Sequence, residues 1–408
     1  MNSETGRQRI DVDEAEALIR AHLPPRPITR VPLEHATGEI LREAVVAERD
    51  QPPFDRVTMD GFALRHRAIA SGRRRFTVIG TQAAGDPAMP VGADEACVWI
   101  MTGAAVPADA DTIVPVERTR RDGETITLEA GYVPVAGQFI HRAGSDHRAG
   151  SPLLAPGVRL GPPEMAVLTI GGHPDVAVAS RPSIAVVSTG DELVEVGEPV
   201  TTFRIRSSND RAVVAALAGA GFTRVARQRL PDDPVVLQRE LGSLLAQHEV
   251  LVLSGGVSLG EFDHVPRTLA ALGVQVVFHK VRQRPGMPFW FGTGPAGQPV
   301  FALPGNPVST LVCLTRYVIP SLTASLGTAP RAQATRVPLA EAVTFEPDLC
   351  WFLPVVLHHG DDGSVRAEPR PTNTSGDFVA LAGTDGFVEL PRGGKAFAAG
   401  YPARFWRW

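Results

Sequence analysis

Apolar runs that close in glycine-, serine- or proline-rich turns recur three times in the middle of the chain. Ser183–Leu193 reads SIAVVSTGDEL, Val250–Gly260 reads VLVLSGGVSLG, and Phe301–Leu314 reads FALPGNPVSTLVCL. Helical periodicity fills the gaps at Asn209–Ala220 and Val235–His248, and resumes after the third turn at Val308, Leu311, Val312, Leu314 and Thr315. Strand, turn and helix in repeated order predict a doubly wound parallel α/β domain with its three loops on one rim. In the third loop Pro304 and Pro307 fix φ and Gly305 permits close backbone approach, so the new helix is expected to offer free N–H groups to a ligand. Open sheets of this kind bind ligands at the carboxyl ends of their strands.

The flanking patterns differ. Asp11, three residues before Glu14, reads as a capping box opening a helix with Val12, Ala15, Leu18, Ile19 and Leu23 on one face, stopped by Pro24 and Pro25. Arg30–Asp50 adds a short segment holding Val31, Leu33, Ile40 and Leu41, ended by Pro52 and Pro53. From Arg75 to Gly137 the runs FTVIGT, ACVWIMTG, TIVPVE and TITLEA alternate with turn residues, which predicts a small β domain inserted between two halves of a helical one. Pro162–Gly171 starts with prolines in a first helical turn and is expected to rejoin the N-terminal helix. After Pro330 short strands return, among them WFLPVVL, GFVELP and PARFWRW, as in a small all-β domain or partial barrel. The expected divisions are 8–52 with 141–180 (a discontinuous helical linker), 53–140 (inserted β), 181–326 (α/β) and 327–408 (C-terminal β, barrel-like).

Composition narrows the class. A chain of 408 residues accommodates several domains, and 36 Pro with 40 Gly favour turns and short β elements over long helices. The 3 cysteines, Cys97, Cys313 and Cys350, are far apart and form no CxxC, so neither a disulfide framework nor a zinc site is expected, and a reducing compartment is. A net charge of -4 gives no global basic field; nucleic acid is not an expected partner, and any anion must be held by a local cluster. No apolar run approaches the roughly 18 residues of a membrane span, and MNSETGRQRI lacks the apolar core of a signal peptide. A soluble, cytoplasmic protein without membrane contact is the expectation.

Chemistry concentrates on the predicted rim. Asp191 and Glu192 follow the first strand, and Glu261 and Asp263 follow the second glycine loop. Carboxylates repel an anionic ligand directly, so their presence beside phosphate-cradling loops implies a hard divalent cation between the two, with Mg²⁺ the natural choice. In HKVRQRPGMPFWFG, Lys280, Arg282 and Arg284 alternate, so on a strand they share one face, either as a blunted edge or as an anion site. Other polar positions have plain local readings: Asp60 an Asx turn, Ser208 to Asp210 and Pro231 to Pro234 helix starts, Thr374 to Gly376 a hydroxyl-rich turn. Neither a Ser, His and Asp arrangement nor a GxxxxGK[ST] motif is present, which argues against a hydrolase or a P-loop ATPase.

MDGFAL, STGDEL, SGGVSLGEFD and LPGNPVS, in this order and spacing, resemble the MoeA family, the molybdopterin molybdenumtransferases whose animal and plant relatives include the gephyrin E domain. The resemblance runs from about Asp11 to the C-terminus. It implies insertion of molybdate into adenylylated molybdopterin, with Mg²⁺-assisted cleavage of the adenylate and release of AMP. It implies catalytic roles for Asp60 in MDGFA, Thr102 in a TGA segment, Asp146 in the RAGSD loop (Arg142, Gly144, Asp146), Glu192, Asp232 and Asp263, with Glu192 and Asp263 holding metal. Substrate contacts would come from Thr189, Gly190, Asp191, Ser208, Asn209, Ser254, Gly255, Gly256, Ser258, Arg282, Arg284, Pro304, Gly305, Asn306, Pro307 and Ser375. An elongated homodimer is implied, with a MogA-type adenylyltransferase upstream and molybdoenzyme acceptors downstream.

Two departures stand out. Where the family commonly reads KPGKP this chain reads RPGMP, so Met287 replaces a cation, and Leu353 and Pro354 occupy the stretch of a usual arginine. Arg282 and Arg370 are the candidates to compensate. The competing reading is a diverged, non-catalytic pterin-nucleotide-binding or scaffold member of the same fold, and tungstate stands beside molybdate as the oxoanion.

Overall fold

The structure, a computed structural model, describes residues 9–256, 264–329 and 335–408. The chain opens with helix α1 (Val12–His22), whose Val12, Ala15 and Ile19 are buried. Asp11 sits at its N-cap but makes no capping hydrogen bond; its carboxylate lies 3.4 Å from Arg282 and 3.3 Å from Arg392, which draw it away from the helix. Strand β1 (Ile28–Pro32) follows. The next sheet has six strands: β2 (Gly61–Leu64), β3 (Arg75–Gln82), β4 (Ala96–Ile100), β5 (Thr112–Pro115), β6 (Thr119–Asp122) and β7 (Thr125–Leu128), in the order β5-β2-β4-β3-β7-β6. Phe62, Phe76, Cys97, Val114 and Ile126 form its own core.

Helix α2 (Pro162–Ile170) has prolines in its first turn, and Glu164 accepts the Gly161 N–H at 2.9 Å. It does not rejoin α1. Leu168 packs with Ala36, Leu41 and Val176, whereas α1 packs into the core of the α/β unit. What joins the two outer segments is antiparallel pairing of β1 with β8 (Asp175–Ala179), from Ile28↔Ala179 to Pro32↔Asp175.

The α/β unit contains β9 (Ile184–Thr189), α3 (Asn209–Gly219), β10 (Val225–Leu230), α4 (Pro234–Gln247), β11 (Val250–Ser254), α5 (His264–Ala271), β12 (Gln275–His279), β13 (Gln283–Arg284), β14 (Trp290–Thr293), β15 (Pro299–Leu303), α6 (Pro307–Cys313) and α7 (Ile319–Ser325). Its sheet runs β10-β9-β11-β15-β14-β12. The first four strands are parallel, as the repeated pattern requires; β14 and β12 add an antiparallel edge that the repeat did not announce. Every residue of β9, β11 and β15 is buried, which is why these strands read as continuous apolar runs.

Strands β16 (Arg336–Pro338), β17 (Cys350–His359), β18 (Val365–Pro369), β19 (Gly386–Leu390) and β20 (Pro402–Arg407) complete the chain as a curled sheet. The Ala340 N–H reaches Ala367 O at 2.8 Å, bending the first strand's end toward β18. Strand β13 leaves the α/β unit to pair in parallel with β17, Gln283 opposite Cys350 and Arg284 opposite Trp351. Arg316, on a π-helical turn (Leu314–Val318), is fully buried at the same junction. Its guanidinium donates to Glu16 at 2.7 Å and Glu389 at 2.8 Å, and lies 4.5 Å from the Trp406 ring. Among the described residues no helix is long and apolar enough to cross a membrane.

Candidate active site

A cleft of about 1280 Å³ opens between the rim of the α/β sheet and the curled sheet. Thirteen of the sequence-expected binding and acidic positions face it through three loops, a helix start and one turn: Thr189, Glu192, Ser208, Asn209, Asp232, Ser254, Gly255, Gly256, Arg284, Pro304, Gly305, Asn306 and Pro307; Ser375 joins them from the opposite wall. Gly190 and Asp191 share the first loop without lining the cleft.

The loops are tied to one another. Asn209 does not cap its helix; its Nδ2 donates to Ser254 Oγ at 2.8 Å and to Gly305 O at 2.7 Å, holding the second loop against the third. Gly255 adopts φ +100, and a Cβ there would meet Thr189 O at 2.6 Å, so the second loop can lie this close to the first only as glycine. At the floor, Ser188 Oγ, Thr189 Oγ1 and Asn209 Oδ1 are buried with no hydrogen-bond partner among the described residues. Buried polar atoms of this kind cost stability unless something pairs them, so they mark where a ligand is received. The start of α6 behaves differently from expectation: the Val308 N–H is taken by Ser375 O at 3.1 Å, and Asn306 Nδ2 donates to Ser375 Oγ at 2.6 Å. This turn therefore links the two walls, and the Val308 N–H is spent on that link.

Acids gather beside the first loop. The Asp232 N–H donates to Asp191 Oδ1 at 3.2 Å, while the neighbouring Asp233 caps α4 by accepting the Val236 N–H at 2.8 Å. Burial raises the Asp232 carboxyl above the ordinary carboxylate range, and the charges of Asp191 and Glu192 push it the same way. Among the described residues no three His, Cys, Asp or Glu side chains converge closely enough to hold a metal alone. Ser258, Glu261 and Asp263 lie outside the described residues.

The stretch 280–289 is not the single strand that alternation predicted. Lys280 has φ +75, and its N–H bonds Phe289 O at 2.9 Å, so the chain folds back into a loop closed at its base. Arg282 therefore does not line the cleft; it pairs with Asp11 at 3.4 Å. Arg370, the other candidate for compensation, pairs with Glu368 at 2.7 Å, also outside the lining. Arg284 does line it, and has no ion pair to any described residue. Beneath Arg284, fully buried Gln283 donates to Pro285 O at 3.1 Å and accepts from Tyr317 OH, which fixes the loop from below.

Comparison with known proteins finds one family in three successive regions of the chain. The MoeA N-terminal region (domain I and II) matches residues 10–172, a probable molybdopterin binding domain matches 185–324, and the MoeA C-terminal region (domain IV) matches 336–408. A molybdopterin molybdenumtransferase of Synechocystis sp. is 38% identical over 400 residues, covering 98% of this chain and 100% of its own. The chain belongs to the MoeA family. The Synechococcus elongatus molybdopterin molybdenumtransferase is 35% identical, covering 93% of this chain and 94% of its own. A solved molybdopterin biosynthesis MoeA protein from Pyrococcus horikosii superposes with a TM-score of 0.81 at 28% identity, over 98% of this chain and 99% of that one.

Three residues expected at the site from the MoeA resemblance lie on other parts of the chain. Asp60 accepts both the N–H and the hydroxyl of Thr102 at 2.7 Å; these bonds hold its carboxyl below the ordinary range. Asp146 lies 2.9 Å from His141 Nε2, and Arg56 donates to the opposite ring nitrogen of that histidine. None of Asp60, Thr102 or Asp146 lines the cleft of the same chain. Sequence reasoning missed Arg206, a second cation on the lining, and the stacked pair Phe345 and Trp351, ring centroids 4.7 Å apart. Arg206 sits beside the Ser208 helix start and was legible as a charge next to a predicted loop; the ring pair is close in sequence, but its place on the cleft comes from β13 meeting β17 at Arg284 and Trp351.

Proposed function

We propose that this chain is a molybdopterin molybdenumtransferase, which inserts molybdate into the dithiolene of adenylylated molybdopterin and releases AMP. The observation that carries it is a single cleft combining carboxylates with floor hydroxyls and an arginine that have no partner among the described residues, in a chain that MoeA relatives match over 98% of its length. Ser254, Gly255 and Gly256 would cradle the adenylate phosphates, and Arg284 would attract the oxoanion. Glu192, exposed and oxygen-bearing beside a second acid that is pushed toward its neutral form, fits Mg²⁺, which takes one or two carboxylates and fills its shell with phosphate and water. Glu192, together with Asp263, would hold that ion, whose contribution is charge neutralisation at the phosphoanhydride. The protein's own part is orientation and electrostatic stabilisation.

A homodimer follows from the same reading. Asp60, Thr102 and Asp146 take part only if a second copy brings its β sheet to this cleft, and closed two-fold pairing is the commonest assembly. An active monomer by light scattering at micromolar protein would overturn it. A MogA-type adenylyltransferase would supply the substrate and molybdoenzymes would take the product, all in the cytoplasm.

The decisive assay mixes purified protein, pterin adenylate, Mg²⁺ and molybdate and follows AMP by chromatography. Molybdate-dependent AMP is the expected result. Bound pterin adenylate with no AMP released would favour the second reading, a diverged member that keeps the nucleotide and has lost its oxoanion. Met287, Leu353 and Pro354, apolar where the family commonly carries cations, all line the cleft and are the observation behind that reading.

A further inference from the structure

The curled-sheet wall of the cleft is built for a flat ring. Trp351 lines it half-buried, with Phe345 stacked on it at 4.7 Å and an interplanar angle of 10°, and Leu349 and Leu353 also face the space. Trp351 stands directly opposite Arg284 across the parallel β13–β17 pair. Paired positions on neighbouring strands project to the same face, and strands lie about 4.8 Å apart. An indole and an unpaired guanidinium are thereby held side by side.

We propose that Trp351 is a stacking platform for a fused, nitrogen-rich heteroaromatic ring whose anionic substituent reaches Arg284. Phe345 stacks on one face of the indole, and the opposite face is the one assigned to the ligand ring. The α/β wall offers no aromatic ring among its described lining residues; besides loop backbone, hydroxyls and acids it turns Arg206 and the aliphatic Leu193 and Ile205 to the cleft. Two rings of this chemistry belong to an adenylylated pterin, the pterin and the adenine, so the inference rests on the proposed function and adds to it the wall that receives a ring.

Equilibrium dialysis of the full chain with AMP, adenosine and pterin-6-carboxylate separates the possibilities. Trp351→Leu is expected to weaken AMP or pterin-6-carboxylate by about tenfold, the magnitude of one lost stacking contact, and the ligand affected identifies the ring. Trp351→Phe should recover most of the loss, which a general disturbance of the wall would not. If adenine is the ring, Trp351→Leu weakens adenosine and AMP equally, while Arg284→Ala weakens AMP alone. Unchanged binding of both AMP and pterin-6-carboxylate in Trp351→Leu, with wild-type protein binding at least one, overturns the platform and leaves the proposed function standing. Wild-type protein that binds neither ligand overturns the platform and the functional reading of the cleft together.

Discussion

The two walls of the cleft are made by opposite means. On the α/β side recognition is done by backbone and short side chains at strand ends, and a single added methyl at Gly255 would collide with Thr189 O. On the curled-sheet side it is done by bulk, through Phe345, Trp351 and Leu353. The first wall suits phosphate and metal, where charge must be met at close range; the second suits a ring, where area counts and direction does not. A cleft with one wall of each kind orients an amphipathic ligand end for end before any chemistry begins.

Separating the walls should have the largest effect. Arg316→Met removes the buried cation that Glu16 and Glu389 share, leaving Arg20 at 3.1 Å from Glu16 and Arg404 at 3.9 Å from Glu389; breaking a buried pair typically costs up to about 3–5 kcal/mol, chemical denaturation should show a loss, and an unchanged midpoint would deny Arg316 that role. Glu192→Ala should cut AMP release by about a hundredfold or more with an unaltered melt, since the residue is exposed. Full activity would remove the acid wall from the mechanism. Arg284→Ala should raise the molybdate concentration for half-maximal turnover by roughly tenfold or more, as expected for one cation within about 4 Å of an oxyanion; an unchanged molybdate requirement would take Arg284 out of oxoanion binding.

Asp232→Asn sharpens the acid side through pH. The folded carboxyl holds its proton above the ordinary 3.8, so the folded chain binds more protons than the unfolded one in the window above that value. Stability therefore falls as pH rises through the window and stays reduced beyond it. The variant should melt higher than wild type at neutral pH and equally at about pH 3; a lower melt at neutral pH would contradict the raised carboxyl. The smallest effect is expected of Met287→Lys. Because Arg282 and Arg370 are engaged elsewhere, a new cation in the lining should lower the molybdate requirement by a few-fold, on the order of a screened pair's 1 kcal/mol, and no change would show that the oxoanion sits away from position 287.

Much of the α/β wall was legible because its information is local. A buried strand that stops at Ser188–Thr189 or Ser254–Gly255 announces its loop in consecutive residues. Arg282 and Arg284 show where such reading stops: spacing of two implies a common direction only while the strand continues, and the chain bends at Arg282, where the Gln283 N–H turns back to Val281 O at 2.8 Å. Asn209 looked like a helix cap because the residues its amide joins, Ser254 and Gly305, are distant in sequence. The free N–H expected at Val308 was spent on Ser375 for the same reason. Trp351 was hidden most completely, since its value comes from a two-residue strand pairing across units.

Arg316 also constrains descent. Its carboxylate partners, Glu16 and Glu389, fall in the N-terminal and C-terminal matched regions while the arginine falls in the middle one. Recombination at the borders of these regions would deliver a guanidinium without its acids, or acids without their guanidinium. A chimera keeps this junction when its parents supply matching charges, or packed apolar residues, at all three positions, so the three regions are coupled here even where each has a core of its own.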